Sequence, residues 1–169
     1  MIQLDIPRLI PFAVFAASVF ALGNAYTAQY AFDLEPCILC LYQRVPYVVS
    51  GVLGMGAFLL PAHQTEWKAR AVVLSSVVFL IGAGIAFYHV GVEQHWWASA
   101  AACGASSGGG EPQTVDKLRH LLMQAKPVKA CDEVDWTLFG LSMATYNVAF
   151  SLALALASCW GARQIRRAP

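Results

Sequence analysis

Four long apolar runs, at residues 9–30, 41–60, 71–90 and 138–160, constrain this chain more than anything else in it. Crossing a bilayer core takes about 20 mostly apolar residues, and lipid offers no water to an unpaired backbone, so such a run has to be helical along its length. Composition agrees: 58% of the residues are hydrophobic and 12% are charged, too few polar groups to cover a water-facing surface. The expected fold is all-α, an integral membrane four-helix bundle with four transmembrane helices, running up-down-up-down as one domain without an internal repeat. The first run is too long for a secretory signal, its leader carries only Arg8, and no clear small-x-small cleavage site follows, so it is expected to stay in the mature protein.

Orientation follows from the positive charges. Six of the eleven Lys and Arg residues lie in the short leader (Arg8), the 61–70 link (Lys68, Arg70) and the tail (Arg163, Arg166, Arg167). Arg44 stands at the edge of a span, and Lys117, Arg119, Lys126 and Lys129 are diluted in a much longer loop. This density places both termini in the cytoplasm. Eight of the ten acidic residues fall on the opposite side, all but Asp5 and Glu66. Cys37, Cys40, Cys103 and Cys131 then face an outer, oxidising compartment, which in a bacterium is the periplasm bounded by the inner membrane.

The links differ in character. The first outer link, 31–40, is short and sets Pro36 directly before Cys37-Ile-Leu-Cys40, so the cysteine pair opens the second helix. The inner link, 61–70, is an ordinary polar connection. The second outer link, 91–136, is a long excursion of the kind that is usually functional or disordered. Within it, the Gly/Ser-rich segment 104–110 follows Cys103 directly, and Pro112 and Thr114 signal the start of a short helix over 115–125. Val115, Leu118, Leu121, Leu122 and Ala125 share one face of that helix, which makes it amphipathic, lying on the bilayer or packed on the bundle top.

A CxxC pair puts two sulfurs one helical turn apart, close enough to bridge, and a helix N-terminus favours the thiolate. The motif also ligates zinc and anchors haem. Haem attachment needs His directly after the second cysteine, where this chain has Leu41, and a four-cysteine zinc site usually joins two CxxC pairs, whereas Cys103 and Cys131 each stand alone. A redox role is therefore expected, with no metal. Four cysteines allow three pairings. The economical one joins Cys37 with Cys40 and Cys103 with Cys131. A structural Cys103–Cys131 staple would stabilise by about 3 to 4 kcal/mol through loop closure, but a staple has no need of a Gly/Ser run beside one sulfur, while exchange with a partner thiolate does need mobility. Cys159, near the end of the fourth run, reads as an inert apolar filler.

Arg44 follows Cys40 by four residues and so shares its helix face just inside the membrane boundary. There it either stabilises a Cys40 thiolate and an adjacent anionic ligand or snorkels to lipid headgroups. The stretch CILCLYQRVPY, 37–47, closely resembles the CxxC-plus-arginine signature of the DsbB family of disulfide-bond-forming membrane proteins. Four spans, the CxxC in the first outer link, two lone cysteines in the second, and Cys131, Trp136, Phe139, Gly140, Leu141 and Met143 entering the fourth helix extend the resemblance over essentially the whole chain.

The resemblance implies a quinone-dependent protein-disulfide oxidoreductase that reoxidises a soluble thioredoxin-fold dithiol oxidase, DsbA, and passes two electrons to membrane ubiquinone or menaquinone. Catalysis would then fall to Cys37, Cys40, Cys103 and Cys131, with the partner's mixed disulfide forming at Cys103. Quinone binding would fall to Arg44 and to His89, which matches a family histidine, although a lone His at a span end is also commonly interfacial. The family often carries an acidic residue where this chain has Gln43, so proton handling there does not carry over. His95, Trp96 and Trp97 read as an interfacial aromatic belt. Lipid, quinone and a DsbA-like partner are expected, and no nucleic acid. The alternatives are a related disulfide generator for a specialised client, a zinc-binding or structural four-span protein, and, last, a small transporter, for which the spans lack midplane ionisable residues and broken-helix pairs.

Overall fold

The structure is a computed structural model that describes residues 5–97, 131 and 136–167. Cys103, the Gly/Ser-rich segment and the expected helix over 115–125 lie outside the described residues. Four helices fill the rest: α1 (Ile6–Ala31), α2 (Ile38–Leu59), α3 (Thr65–Glu93) and α4 (Met143–Arg167). Each is long and apolar enough to cross a membrane. Their outer surface is apolar as well, with Phe20 65%, Val52 68%, Leu59 72% and Leu156 71% exposed. Exposed apolar area costs about 25 cal/mol per Å² in water and nothing comparable in lipid, so this is the surface of a multi-pass membrane protein.

Two helix starts depart from the expected 71 and 138. Helix α3 begins six residues earlier, because its first turns are polar (Thr65, Glu66, Lys68, Arg70) and an apolar count does not register them. Glu66 in the first turn complements the helix dipole there. Helix α4 begins five residues later, at Met143. Residues 137–142 form instead a small antiparallel hairpin of β1 (Thr137–Leu138) and β2 (Leu141–Ser142). Phe139 and Gly140 make its turn with φ of 51° and 78°. Positive φ at both central residues is the geometry that matches the strand twist, and Gly140 adopts it without strain.

In the bundle α3 packs most extensively on α4, α1 on α2, and α2 on α3. The core runs along the axis through Val14, Tyr47, Val72, Phe79, Ala155 and Ile165. Between lipid-exposed helices no water is released on association, so close backbone approach and interhelical hydrogen bonds must hold the bundle. Small residues supply the first. A Cβ at Gly54 would stand 2.8 Å from the Phe15 nitrogen and 2.9 Å from the Pro11 carbonyl oxygen, so α1 and α2 meet there only because position 54 has none. Ser76 supplies the second, donating its hydroxyl to the Ala155 carbonyl at 2.7 Å across α3 and α4.

Candidate functional site

Cys37 is the N-cap of α2, and its Sγ accepts the Cys40 backbone N–H at 3.4 Å. Extended backbone at the cap (φ −70°, ψ 169°) turns the first sulfur over the helix end, and the helical repeat brings the second under it. The pair stands as a dithiol, the Cys37 thiol donating to Cys40 Sγ at 3.2 Å. That bond and burial push the Cys37 thiol up to about 12, so Cys37 holds its proton well into the alkaline range. Cys131 is 1% exposed and joins Cys37, Leu39 and Val92 in one buried cluster, with Cys40 packed against it. Of the expected cysteines, three are therefore brought together, and Cys103 lies outside the described residues.

His89, buried at 4% exposure, comes from α3. Its Nε2 lies 3.6 Å from Cys37 Sγ and 3.7 Å from Glu93 Oε1, and the ring also hydrogen-bonds the Cys131 backbone. On the opposite edge Gln43 Nε2 donates to Nδ1 at 2.7 Å, so in the neutral ring the proton sits on Nε2, facing the sulfurs and the carboxylate. Asn147 Nδ2 donates to Gln43 Oε1 and Tyr47 donates its hydroxyl to Asn147 Oδ1. Tyr47 also hydrogen-bonds Ser151 Oγ at 2.8 Å. A continuous polar chain thus runs from the dithiol across α3 and α2 into α4. The carboxylate of Glu93 is held from the hairpin side, where Ser142 donates to Oε2.

Arg44 is half-buried. Its guanidinium donates to Gln29 Oε1 at 2.7 Å and lies over the Tyr26 ring at 4.9 Å, both on α1. Cys37, Cys40, Arg44, His89 and Glu93 all line one cavity of about 490 Å³, whose remaining wall is largely apolar, including Phe20, Leu22, Leu138 and Phe150. That is the size and character of a small-molecule site: apolar walls with a few polar groups gathered at one place. His95, Trp96 and Trp97 are not among its lining residues. Trp97 stacks on Tyr88 with ring centroids 5.8 Å apart.

Sequence reasoning missed Glu93, Asn147, Ser151 and the Gln29–Tyr26 hold on Arg44. Two signals were present. Glu93 lies four residues after His89 and Ser151 four after Asn147, which puts each pair on one helix face, and polar groups within spans face the bundle interior.

A multi-span helical bundle that presents a helix-capping dithiol to an apolar cavity defines a class: an oxidoreductase of disulfide formation embedded in the membrane. Its family follows from comparison. Residues 7–161 match the family described as "Disulfide bond formation protein DsbB", and the chain belongs to the DsbB family. It is similar to the "Disulfide bond formation protein B" of Methylobacillus flagellatus, 32% identical over 148 residues, 86% of each chain. The protein of the same description from Hahella chejuensis is 30% identical over 164 residues, 95% of this chain and 94% of that one. Its counterpart from Dechloromonas aromatica is 31% identical over 125 residues, 71% of this chain and 70% of that one. No solved structure matches the chain.

Proposed function

We propose that the protein is a bacterial inner-membrane thiol:quinone oxidoreductase that reoxidises a periplasmic DsbA-like dithiol oxidase, with both termini in the cytoplasm. The observation that carries this reading is the shared cavity. A dithiol, an arginine and a buried imidazole face one apolar-walled space of about 490 Å³, and a quinone is a flat apolar ring with two carbonyl oxygens that need donors. The donor set fits: the Arg44 guanidinium and the His89 Nε2–H are the groups to hold the two oxygens. Ubiquinone or menaquinone bound there supplies an acceptor for two electrons and two protons.

The cysteines act in sequence. A thiolate of the reduced partner attacks the Cys103–Cys131 disulfide at Cys103, and Cys131 leaves as a thiolate. The partner's second thiolate then resolves the mixed disulfide, so the partner leaves oxidised and the loop pair is reduced. Cys131 next attacks Cys37, to which it is packed. The Cys37–Cys40 bond breaks and Cys40 departs as a thiolate. Cys103 closes on Cys131 again, which leaves Cys37 and Cys40 as the dithiol seen here. Returning this pair to a disulfide removes two electrons and two protons. Arg44 stabilises the negative charge on Cys40 in a low-dielectric setting. Gln43 keeps Nε2 of His89 as the donor edge, and Glu93 fixes that edge from the other side.

The test is turnover in detergent with a reduced thioredoxin-fold dithiol oxidase and a short-tailed quinone, followed by quinone absorbance and by thiol counting. Cys37→Ser and Cys40→Ser are expected to abolish quinone reduction. Robust turnover in either variant refutes the relay.

A further inference from the structure

The reduced site has a second chemistry that does not depend on quinone. Cys37, Cys40 and His89 each offer a soft or borderline ligand atom, and these three atoms lie within 4.8 Å of one another. A tetrahedral zinc ion, with Zn–S of about 2.3 Å and Zn–N of about 2.0–2.1 Å, requires S···S of about 3.8 Å and S···N of about 3.5 Å between its ligands. The observed separations are 3.2 Å between the sulfurs and 3.6 Å from Cys37 Sγ to His89 Nε2. The S···N edge is already in place. The S···S edge must open by about 0.6 Å, the movement expected when a metal replaces a shared thiol proton. Glu93 Oε1 lies 3.7 Å from the same Nε2 but outside the set of atoms that close within 4.8 Å, so the fourth position is left to solvent.

We infer that the reduced dithiol binds one thiophilic divalent cation of the zinc or cadmium type through Cys37 Sγ, Cys40 Sγ and His89 Nε2, with water completing the shell, and that this ion holds the pair reduced. Sequence spacing argued against zinc by looking for four cysteines. The fold supplies a histidine from α3 instead. Binding is a proton exchange without electron transfer: two thiol protons leave as two metal–thiolate bonds form. Nε2 takes the metal as its own proton shifts to Nδ1; Gln43 turns its amide oxygen to accept that proton, the outer hydrogen bond that metal-ligating histidines ordinarily make, and Asn147 turns with it so that its oxygen accepts from Gln43 Nε2. The Cys37–Cys40 disulfide offers no thiolate, so the ion is a ligand of one redox state only.

The experiment uses the full-length Cys103→Ser/Cys131→Ser/Cys159→Ser protein in detergent, reduced with a phosphine that is then removed without air. It is titrated with Co²⁺ and afterwards with Zn²⁺. The expected result is one Co²⁺ per chain with near-ultraviolet thiolate-to-cobalt absorption, displaced by Zn²⁺ and missing from the same protein oxidised to its disulfide. His89→Ala is expected to bind about tenfold more weakly or worse. Zn²⁺ should also slow oxidation of the dithiol by diamide, a reagent that needs no quinone site. Equal Co²⁺ uptake by the reduced and oxidised forms overturns the inference, as does full-affinity binding by His89→Ala. Because no quinone enters the assay, these failures are separable from failure of the quinone reading.

Discussion

Replacing Asn147 by Leu, close to it in volume, cuts the polar chain at one link and makes its energetics measurable. In the native structure Asn147 donates to Gln43 Oε1 and accepts from Tyr47. Tyr47 and Ser151 Oγ keep their 2.8 Å contact after the change, but both also donate to Asn147 Oδ1, so Asn147→Leu orphans the Gln43 carbonyl oxygen and one of the two hydroxyl protons. Gln43→Leu orphans two, Asn147 Nδ2 and His89 Nδ1. The double variant orphans Nδ1 and the same hydroxyl proton. Interhelical hydrogen bonds inside membranes average about 0.6 kcal/mol and reach about 1.7. Each single variant breaks the one Gln43–Asn147 bond and the double breaks it once, so the cycle predicts a coupling of roughly 0.6 to 1.7 kcal/mol, that of a single interhelical bond. Equilibrium unfolding in mixed detergent micelles measures all four proteins. Strict additivity, within about 0.3–0.5 kcal/mol, would falsify the claim that these side chains act as one chain, whatever each variant does separately.

Four further outcomes follow from the same geometry. Arg44→Ala should raise the apparent quinone KM about tenfold, the equivalent of about 1.4 kcal/mol, with Gln29→Leu moving it the same way by less; an unchanged KM in Arg44→Ala would mean that the guanidinium serves only lipid. Because Cys37 is held as a thiol by its bond to Cys40, alkylation of the reduced protein at pH 8 should mark Cys40 well before Cys37, and the Cys37 rate should keep rising as pH climbs toward about 12; peptide mass analysis reads the order, and early Cys37 labelling refutes it. Cys159→Ala should leave turnover intact, since Cys159 is not among the residues lining the cavity; an inactive variant would assign that sulfur a task. Gly140→Ala forces a Cβ onto φ +78° and should cost about 1 kcal/mol in the unfolding assay, and a neutral result would show that the turn relaxes.

Much of this architecture could be read from residues, for reasons specific to lipid. A span must bury its own backbone polarity, so apolar length alone placed four helices. The same rule misled at 138–142, where Leu138, Phe139 and Leu141 extend the apolar run although Trp136, Thr137 and Gly140 are strand and turn residues; hydropathy does not register local backbone geometry. Where chemistry was tied to spacing it was also legible. Cys37, Cys40 and Arg44 lie on one helix face at i, i+3 and i+7, a relation fixed before any tertiary contact forms.

Contacts between helices were not legible in the same way. Gln43, Glu93 and Asn147 sit on three different helices, and which of their faces meet depends on how α1 and α2 close at Gly54 and how α3 lies on α4. What the sequence did contain was a constraint on them: a polar side chain inside a span must find a partner in the bundle or a cavity. Applied to this chain, that constraint leads from the dithiol to a second conclusion about acid–base chemistry. Position 43 holds an amide, and the buried carboxylate beside His89 comes from Glu93, one helical turn along the same helix. An amide on Nδ1 and a carboxylate near Nε2 both favour a proton on the edge that faces the sulfurs. Glu93→Gln should therefore weaken that donor while leaving thiol exchange at Cys131 untouched, and a loss confined to the quinone step is the result that places the carboxylate in the reaction.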